Sequence, residues 1–232
     1  MAGLLAVTLS GCQGIVASPV LSQLRIIDTS PDAPGLDIYQ NNAALVYNLG
    51  FGTITSYVPL TPGTYTISAN SAGTKQVLSS AKATFGLSSQ YTVLIGNSAA
   101  NLQQLILKDQ SQPAPAGQIS LRFIDQATRI SAVDVYLVPA GQKLTAVTPV
   151  VTGLVFNINT GYLNIPAGTY KLAMVPTGTV PTSDTVLTYM GPQVTYSAGA
   201  ARTIILIDQQ LITTPGLQVI TADDFDSPTA TS

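Results

Sequence analysis

The chain repeats itself, and that repetition constrains the fold more than any single residue does. Leu24-Arg25-Ile26-Ile27-Asp28 returns as Leu121-Arg122-Phe123-Ile124-Asp125, and Leu36-Asp37-Ile38-Tyr39 returns as Val133-Asp134-Val135-Tyr136, both at an offset of 97 residues. Further along the offset becomes 105: Phe51 matches Phe156, Tyr57 matches Tyr162, and Gly63-Thr64-Tyr65 matches Gly168-Thr169-Tyr170. Eight extra residues therefore lie between Tyr136 and Val151 in the second copy, where Pro139-Ala140-Gly141-Gln142-Lys143 reads as a longer loop. Tyr91-Thr92-Val93-Leu94-Ile95 corresponds more loosely to Arg202-Thr203-Ile204-Ile205-Leu206. The Pro-, Ala- and Gln-rich stretch between the copies reads as a short, semi-extended linker. The expected division is 1–22 signal peptide and tether, 23–110 first repeat, 111–118 linker, 119–226 second repeat and 227–232 disordered tail.

Each copy reads as all-β. Thr64-Tyr65-Thr66-Ile67-Ser68 and Tyr91-Thr92-Val93-Leu94-Ile95 are rich in β-branched and aromatic residues, and Gly, Pro, Asn or Ser clusters punctuate such runs. No segment sustains a helical period with start and stop signals. Leu36 and Ile38 alternate with Asp37 and Tyr39 as a half-buried strand requires, whereas Val93-Leu94-Ile95 and Ile204-Ile205-Leu206-Ile207 are apolar on both faces and suit central strands. Seven or so short strands per copy, with no helix to cover a sheet, predict two tandem Greek-key β-sandwiches of immunoglobulin or prealbumin-like type. The recurring turn before Tyr65 and Tyr170 predicts a tyrosine corner, each hydroxyl bonding backbone upstream. A low-charge strand such as Thr64 to Ser68 is the expected edge for adding a strand from another chain.

The side chains narrow the chemistry. The chain has no His, no Trp and no Glu, its eleven acidic residues all being Asp. That removes His-based metal sites, Ser-His-Asp and Cys-His nucleophile systems and paired Glu carboxylates. Nine Lys and Arg are scattered singly, so no phosphate-neutralising face for nucleic acid is expected. The single cysteine, Cys12, ends the apolar stretch Leu4-Leu5-Ala6-Val7-Thr8-Leu9-Ser10-Gly11-Cys12, which resembles a bacterial lipobox. That resemblance implies a diacylglyceryl group on the Cys12 thiol and a mature chain held on a membrane. Met1-Ala2-Gly3 lacks the basic residues of a signal-peptide start, which points to a start codon placed too late or a trimmed sequence. Gln13, and not Asp, follows the cysteine, which by likeness to enterobacterial lipoproteins implies outer-membrane sorting.

A family resemblance covers nearly all of the first copy. Leu24-Arg25-Ile26-Ile27-Asp28-Thr29-Ser30-Pro31-Asp32-Ala33-Pro34-Gly35-Leu36-Asp37-Ile38-Tyr39, with Leu49-Gly50-Phe51-Gly52, Tyr57-Val58-Pro59-Leu60 and Pro62-Gly63-Thr64-Tyr65, resembles the bacterial and archaeal domain of unknown function DUF4397. Asp28 stands where that family's pattern usually has His. The second copy keeps the frame but carries Ala127-Thr128-Arg129-Ile130-Ser131 in place of Ser30-Pro31-Asp32-Ala33-Pro34. The resemblance implies an exported, often tandem, surface domain with no established activity.

Few residues qualify as a site. Asp28, Asp32 and Asp37 fall within ten residues and are the candidates for a ligand or Ca²⁺, although Asp32 between prolines also reads as a turn former. The recurring Arg25/Asp37 and Arg122/Asp134 residues are expected to pair across adjacent strands as scaffold. Asp223-Asp224-Phe225-Asp226 reads as a solvated, frayed end. The expected function is a non-catalytic, lipid-anchored envelope protein without cofactor, acting as a structural, adhesive or binding module with a protein or glycan partner. Its rival is a secreted carbohydrate- or peptide-binding module using the loop between Tyr136 and Val151 and tyrosines such as Tyr162. An Asp-dependent hydrolase ranks third.

Overall fold

The computed structural model describes residues 21–210 and 216–226; Cys12 with the lipidation segment, and the tail 227–232, lie outside them. The chain forms two β-sandwiches, each of eight strands where about seven are expected. In the first, β1 (Ser22–Asp28), β4 (Val58–Leu60), β7 (Gln90–Gly96) and β8 (Gln103–Asp109) form one sheet in the order β4-β1-β7-β8. Its partner sheet runs β3-β2-β5-β6, from β2 (Leu36–Gln40), β3 (Ala43–Leu49), β5 (Gly63–Ser71) and β6 (Val77–Phe85). The second sandwich repeats the plan. There, β9 (Gln118–Asp125), β12 (Asn159–Pro166), β15 (Ala201–Asp208) and β16 (Leu217–Phe225) are ordered β12-β9-β15-β16. The facing sheet runs β11-β10-β13-β14, from β10 (Val133–Pro139), β11 (Val151–Leu154), β13 (Gly168–Pro176) and β14 (Tyr189–Tyr196).

All pairings are antiparallel except two equivalent ones: β1 runs parallel to β7, and β9 parallel to β15. Those four strands are the central, doubly apolar ones. Leu24, Ile26, Val93 and Ile95 face Leu36, Ile38, Ile67 and Phe85 inside the first sandwich, and Leu121, Phe123, Ile204 and Leu206 face Val133, Val135, Leu172 and Met174 inside the second. The opposite faces are equally dry. Ile27, Leu94 and Leu107 of the first sandwich meet Ile124, Ile205, Ile207 and Ala222 of the second in a third core. The four sheets thus stack as four layers, and the two inner sheets are covered on both sides. At about 1.5–3 kcal/mol for each fully buried aliphatic side chain, this interface is a core in its own right and not a brushing contact.

Local chemistry explains the corners. The Tyr65 hydroxyl donates to the Thr61 carbonyl at 2.9 Å and the Tyr170 hydroxyl to the Pro166 carbonyl at 2.8 Å, so both copies carry the predicted tyrosine corner. Thr64 to Ser68, expected at an edge, instead lies in β5 between β2 and β6: the whole stretch pairs with β6, and Ile67 and Ser68 pair with β2 as well. The eight extra residues of the second copy fall between β10 and β11, as the offsets require, and include a 3-10 turn at Leu144–Ala146.

Candidate functional site

The densest polar constellation lies between the repeats. Alternation along β1 sends Leu24 and Ile26 into the first sandwich and leaves Arg25 facing the second; β9 does the same with Arg122. Both guanidinium groups are about 2% exposed, so each requires a buried counter-charge. Those charges come from the other repeat. Arg25 Nη2 donates to Asp224 Oδ1 at 2.6 Å, and Arg122 Nη2 donates to Asp109 Oδ1 at 2.5 Å. The remaining donors are also placed: Arg25 Nε and Nη2 reach Thr92 Oγ1 at 3.1 and 2.8 Å, and Nη1 reaches the Asp223 carbonyl at 2.9 Å. Arg122 Nε reaches Thr203 Oγ1 at 2.9 Å and Nη1 the Lys108 carbonyl at 3.2 Å.

The carboxylates are satisfied in the same symmetric way. Asp109 Oδ2 accepts from the Thr92 hydroxyl at 2.6 Å and the Tyr57 hydroxyl at 2.8 Å, while Asp224 Oδ2 accepts from Thr203 at 2.6 Å and Tyr162 at 2.8 Å. Each arginine also lies over the ring of its own repeat's tyrosine, 4.6 Å from the Tyr57 centroid for Arg25 and 4.7 Å from the Tyr162 centroid for Arg122. Burial, followed by Asp109, raises Tyr57 well above its usual range; burial, followed by Asp224, does the same to Tyr162. Both phenols therefore stay protonated and donate. Burial pulls Arg25 down, but Tyr57, Asp224 and Asp109 together more than offset it and hold the guanidinium charged. Burial also pushes the Asp224 carboxyl up against the pull of Arg25 and Arg122. Two arginines and two aspartates form a neutral, sealed set in which equivalent residues exchange partners, the pattern of an isologous contact built within one chain.

This arrangement corrects several expectations. Arg25 does not pair with Asp37, nor Arg122 with Asp134. Asp37 instead accepts the Asn48 and Gly73 amides at 2.9 and 2.8 Å, and Asp134 the Gly153 and Gly178 amides at 2.8 and 3.0 Å. Asn48, Gly73, Gly153 and Gly178 all have positive φ, so the repeated aspartate ties down two left-handed turns in each copy. The Asp223 to Asp226 segment is not frayed: Asp223 and Asp226 are exposed, but Asp224 is 4% exposed near the end of β16, because its alternation points it into the interface. Tyr162 belongs to the same network and is not a free ligand-stacking ring.

The three candidate calcium residues are not brought together. Asp28 Oδ1 accepts the Ser30 amide at 2.9 Å, Asp32 Oδ1 the Ala99 amide at 2.9 Å, and Asp37 serves the turns just described. Among the described residues no three ligating side chains converge, so the oxygen cage that Ca²⁺ requires is not formed by them. Asp28 and its equivalent Asp125 share another property. Each is buried, each uses Oδ1 on a backbone amide two residues on, and each leaves Oδ2 without a hydrogen-bond partner among the described residues. Burial pushes both carboxyls up to about 7. Asp28 is 1% exposed, so its raised affinity for a proton is not presented at the surface.

Residues 22–136 match the family model described as Domain of unknown function (DUF4397), which takes in the whole first sandwich and runs into β10 of the second. No curated protein matches the sequence significantly. Among solved structures, one of α-glucan binding by a streptococcal virulence factor is similar at 11% identity, covering 79% of this chain and 92% of that one, with a TM-score of 0.26. Another, of α-glucan recognition by family 41 carbohydrate-binding modules from streptococcal virulence factors, gives 10% identity, the same coverages and a TM-score of 0.24. Superpositions this loose say nothing of the ligands of this chain. Through residues 22–136 the chain belongs to the DUF4397 family of domains of unknown function.

Proposed function

We propose that this chain is a non-catalytic cell-envelope protein, anchored through a lipid on Cys12, that presents its two sandwiches as one rigid binding module. The observation that carries this reading is the exchanged Arg25–Asp224 and Arg122–Asp109 pairing. A chain with so few charges places four of them where they join its halves and where no substrate reaches them. The Leu-Ser-Gly-Cys element and the polar, Pro-containing segment after it support the anchor. No described helix is long and apolar enough to cross a membrane, so attachment in this account rests on the lipid.

The test is palmitate labelling of the complete gene product in its native host. The chain is expected to take up label and fractionate with membranes, and Cys12→Ser to lose both. An unlabelled wild-type chain in the cytoplasm would overturn the anchor. Turnover of any ester, glycoside or peptide substrate that vanishes in Asp28→Asn would overturn the non-catalytic half.

A further inference from the structure

The two sandwiches differ most on their outer faces. In the second, Tyr136, Val138, Ala173 and Val175 form an apolar patch that Leu144 and Val147 of the inserted loop, with Leu187, fold over; Tyr136 is left 3% exposed. The loop expected to touch a ligand therefore serves as a lid on its own sheet. In the first sandwich the same positions hold Tyr39, Asn41, Ser68 and Asn70, and the covering loop is missing, β2 and β3 being joined through Asn41-Asn42 alone. A cleft of about 330 Å³ opens there, lined chiefly by Tyr39, Asn41, Asn42, Ser68, Asn70 and Lys75.

Its chemistry is specific. Asn70 is half-buried in the cleft wall, and its inner Oδ1 has no hydrogen-bond partner among the described residues, an omission that costs about 1–3 kcal/mol and leaves the amide free to turn toward a ligand. Asn41 is held in place because its Oδ1 accepts the Thr66 amide at 3.0 Å. Tyr47 stands beside the cleft, 67% exposed and edge-on to Tyr39 with centroids 6.3 Å apart. Lys75 is the one charged residue of the lining, and Asp37 behind Tyr39 is committed to backbone amides. Amides offer paired donors and acceptors that match neighbouring hydroxyls, and an exposed aromatic ring covers a C–H face. The volume lies at the small end of ligand pockets, roughly two sugar units with the rest of a chain running past.

We propose that this open face of the first sandwich binds a neutral oligosaccharide, with Asn70 and Asn41 bonding its hydroxyls and Tyr39 and Tyr47 stacking a ring. This deepens the reading of the chain as a binding module and is independent of the Cys12 lipid, so either can fail while the other stands. The test is calorimetric titration of the full chain with hexasaccharides of glucose, xylose, mannose and N-acetylglucosamine. At least one is expected to bind, with Asn70→Ala and Tyr47→Ala each weakening it roughly tenfold. Thr195→Ala, on the exposed edge of the second sandwich, is expected to leave binding unchanged. Tyr47 is exposed enough for its removal to spare the thermal midpoint, which separates a lost contact from a lost fold. Absence of binding by all four at millimolar concentration, affinity indifferent to both cleft substitutions, or binding of polar peptides in place of sugars would overturn the proposal.

Discussion

Asp28 and Asp125 close equivalent strands and meet the same difficulty, a buried carboxyl with one oxygen unpartnered. Their surroundings favour the neutral acid, which fixes the sign of their effect on stability. Unfolded, each has the ordinary value near 3.8; folded, each holds its proton to about 7. Their contribution is therefore fully present below about pH 4 and is lost as the pH rises through about 7, by at most roughly 4 kcal/mol each. Urea midpoints of the wild type are expected to fall between pH 5 and pH 8, and those of Asp28→Asn to fall less; equal slopes would refute this. Arg25 and Asp224 make a different demand, as buried charges that must stay paired. Asp224→Leu should cost about 3–5 kcal/mol, since it strands a buried guanidinium, whereas Arg25→Met combined with Asp224→Leu should cost far less than the two single changes together. Urea denaturation of the three variants decides this, and strictly additive costs would contradict it. None of this pairing was legible in the sequence. Arg25 was visible as a repeated residue, but its partner lies 199 positions away, and the nearer Asp37 already serves the amides of Asn48 and Gly73.

The elements were easier to read than their partners, because strand alternation is local and packing is not. The 97 and 105 offsets located the inserted loop between β10 and β11, and the Gly-Thr-Tyr repeats located both tyrosine corners. Tyr65→Phe and Tyr170→Phe should each lower stability by about 0.5–1.5 kcal/mol with the fold retained, as denaturant midpoints would report; no change in either would remove the corner from the account. The doubly apolar runs of β7 and β15 correctly marked central strands. Their second apolar face had a further meaning, since an inner sheet dry on both sides must be covered by something beyond its own sandwich. Here each covers the other. The β5 strand was misplaced at an edge because a Thr-rich run looks solvated from either position, and only the pairing with β2 and β6 shows it to be internal.

At the scale of the molecule, two sandwiches become four layers with three cores, the middle one built from both repeats. The exchanged ion pairs sit at the border of that middle core, so separating the domains would expose apolar surface and unpair four buried charges together. The semi-extended linker read from the sequence consequently joins bodies that are already fastened. Rigidity of this kind would suit the membrane display proposed above, because the open cleft of the first sandwich keeps a fixed bearing relative to the second. Scanning calorimetry of the full chain tests the fusion most directly. The account predicts one transition whose calorimetric and van't Hoff enthalpies agree for the whole chain, splitting into two when Asp224→Ala breaks the network. Two separate transitions in the wild-type chain would contradict it.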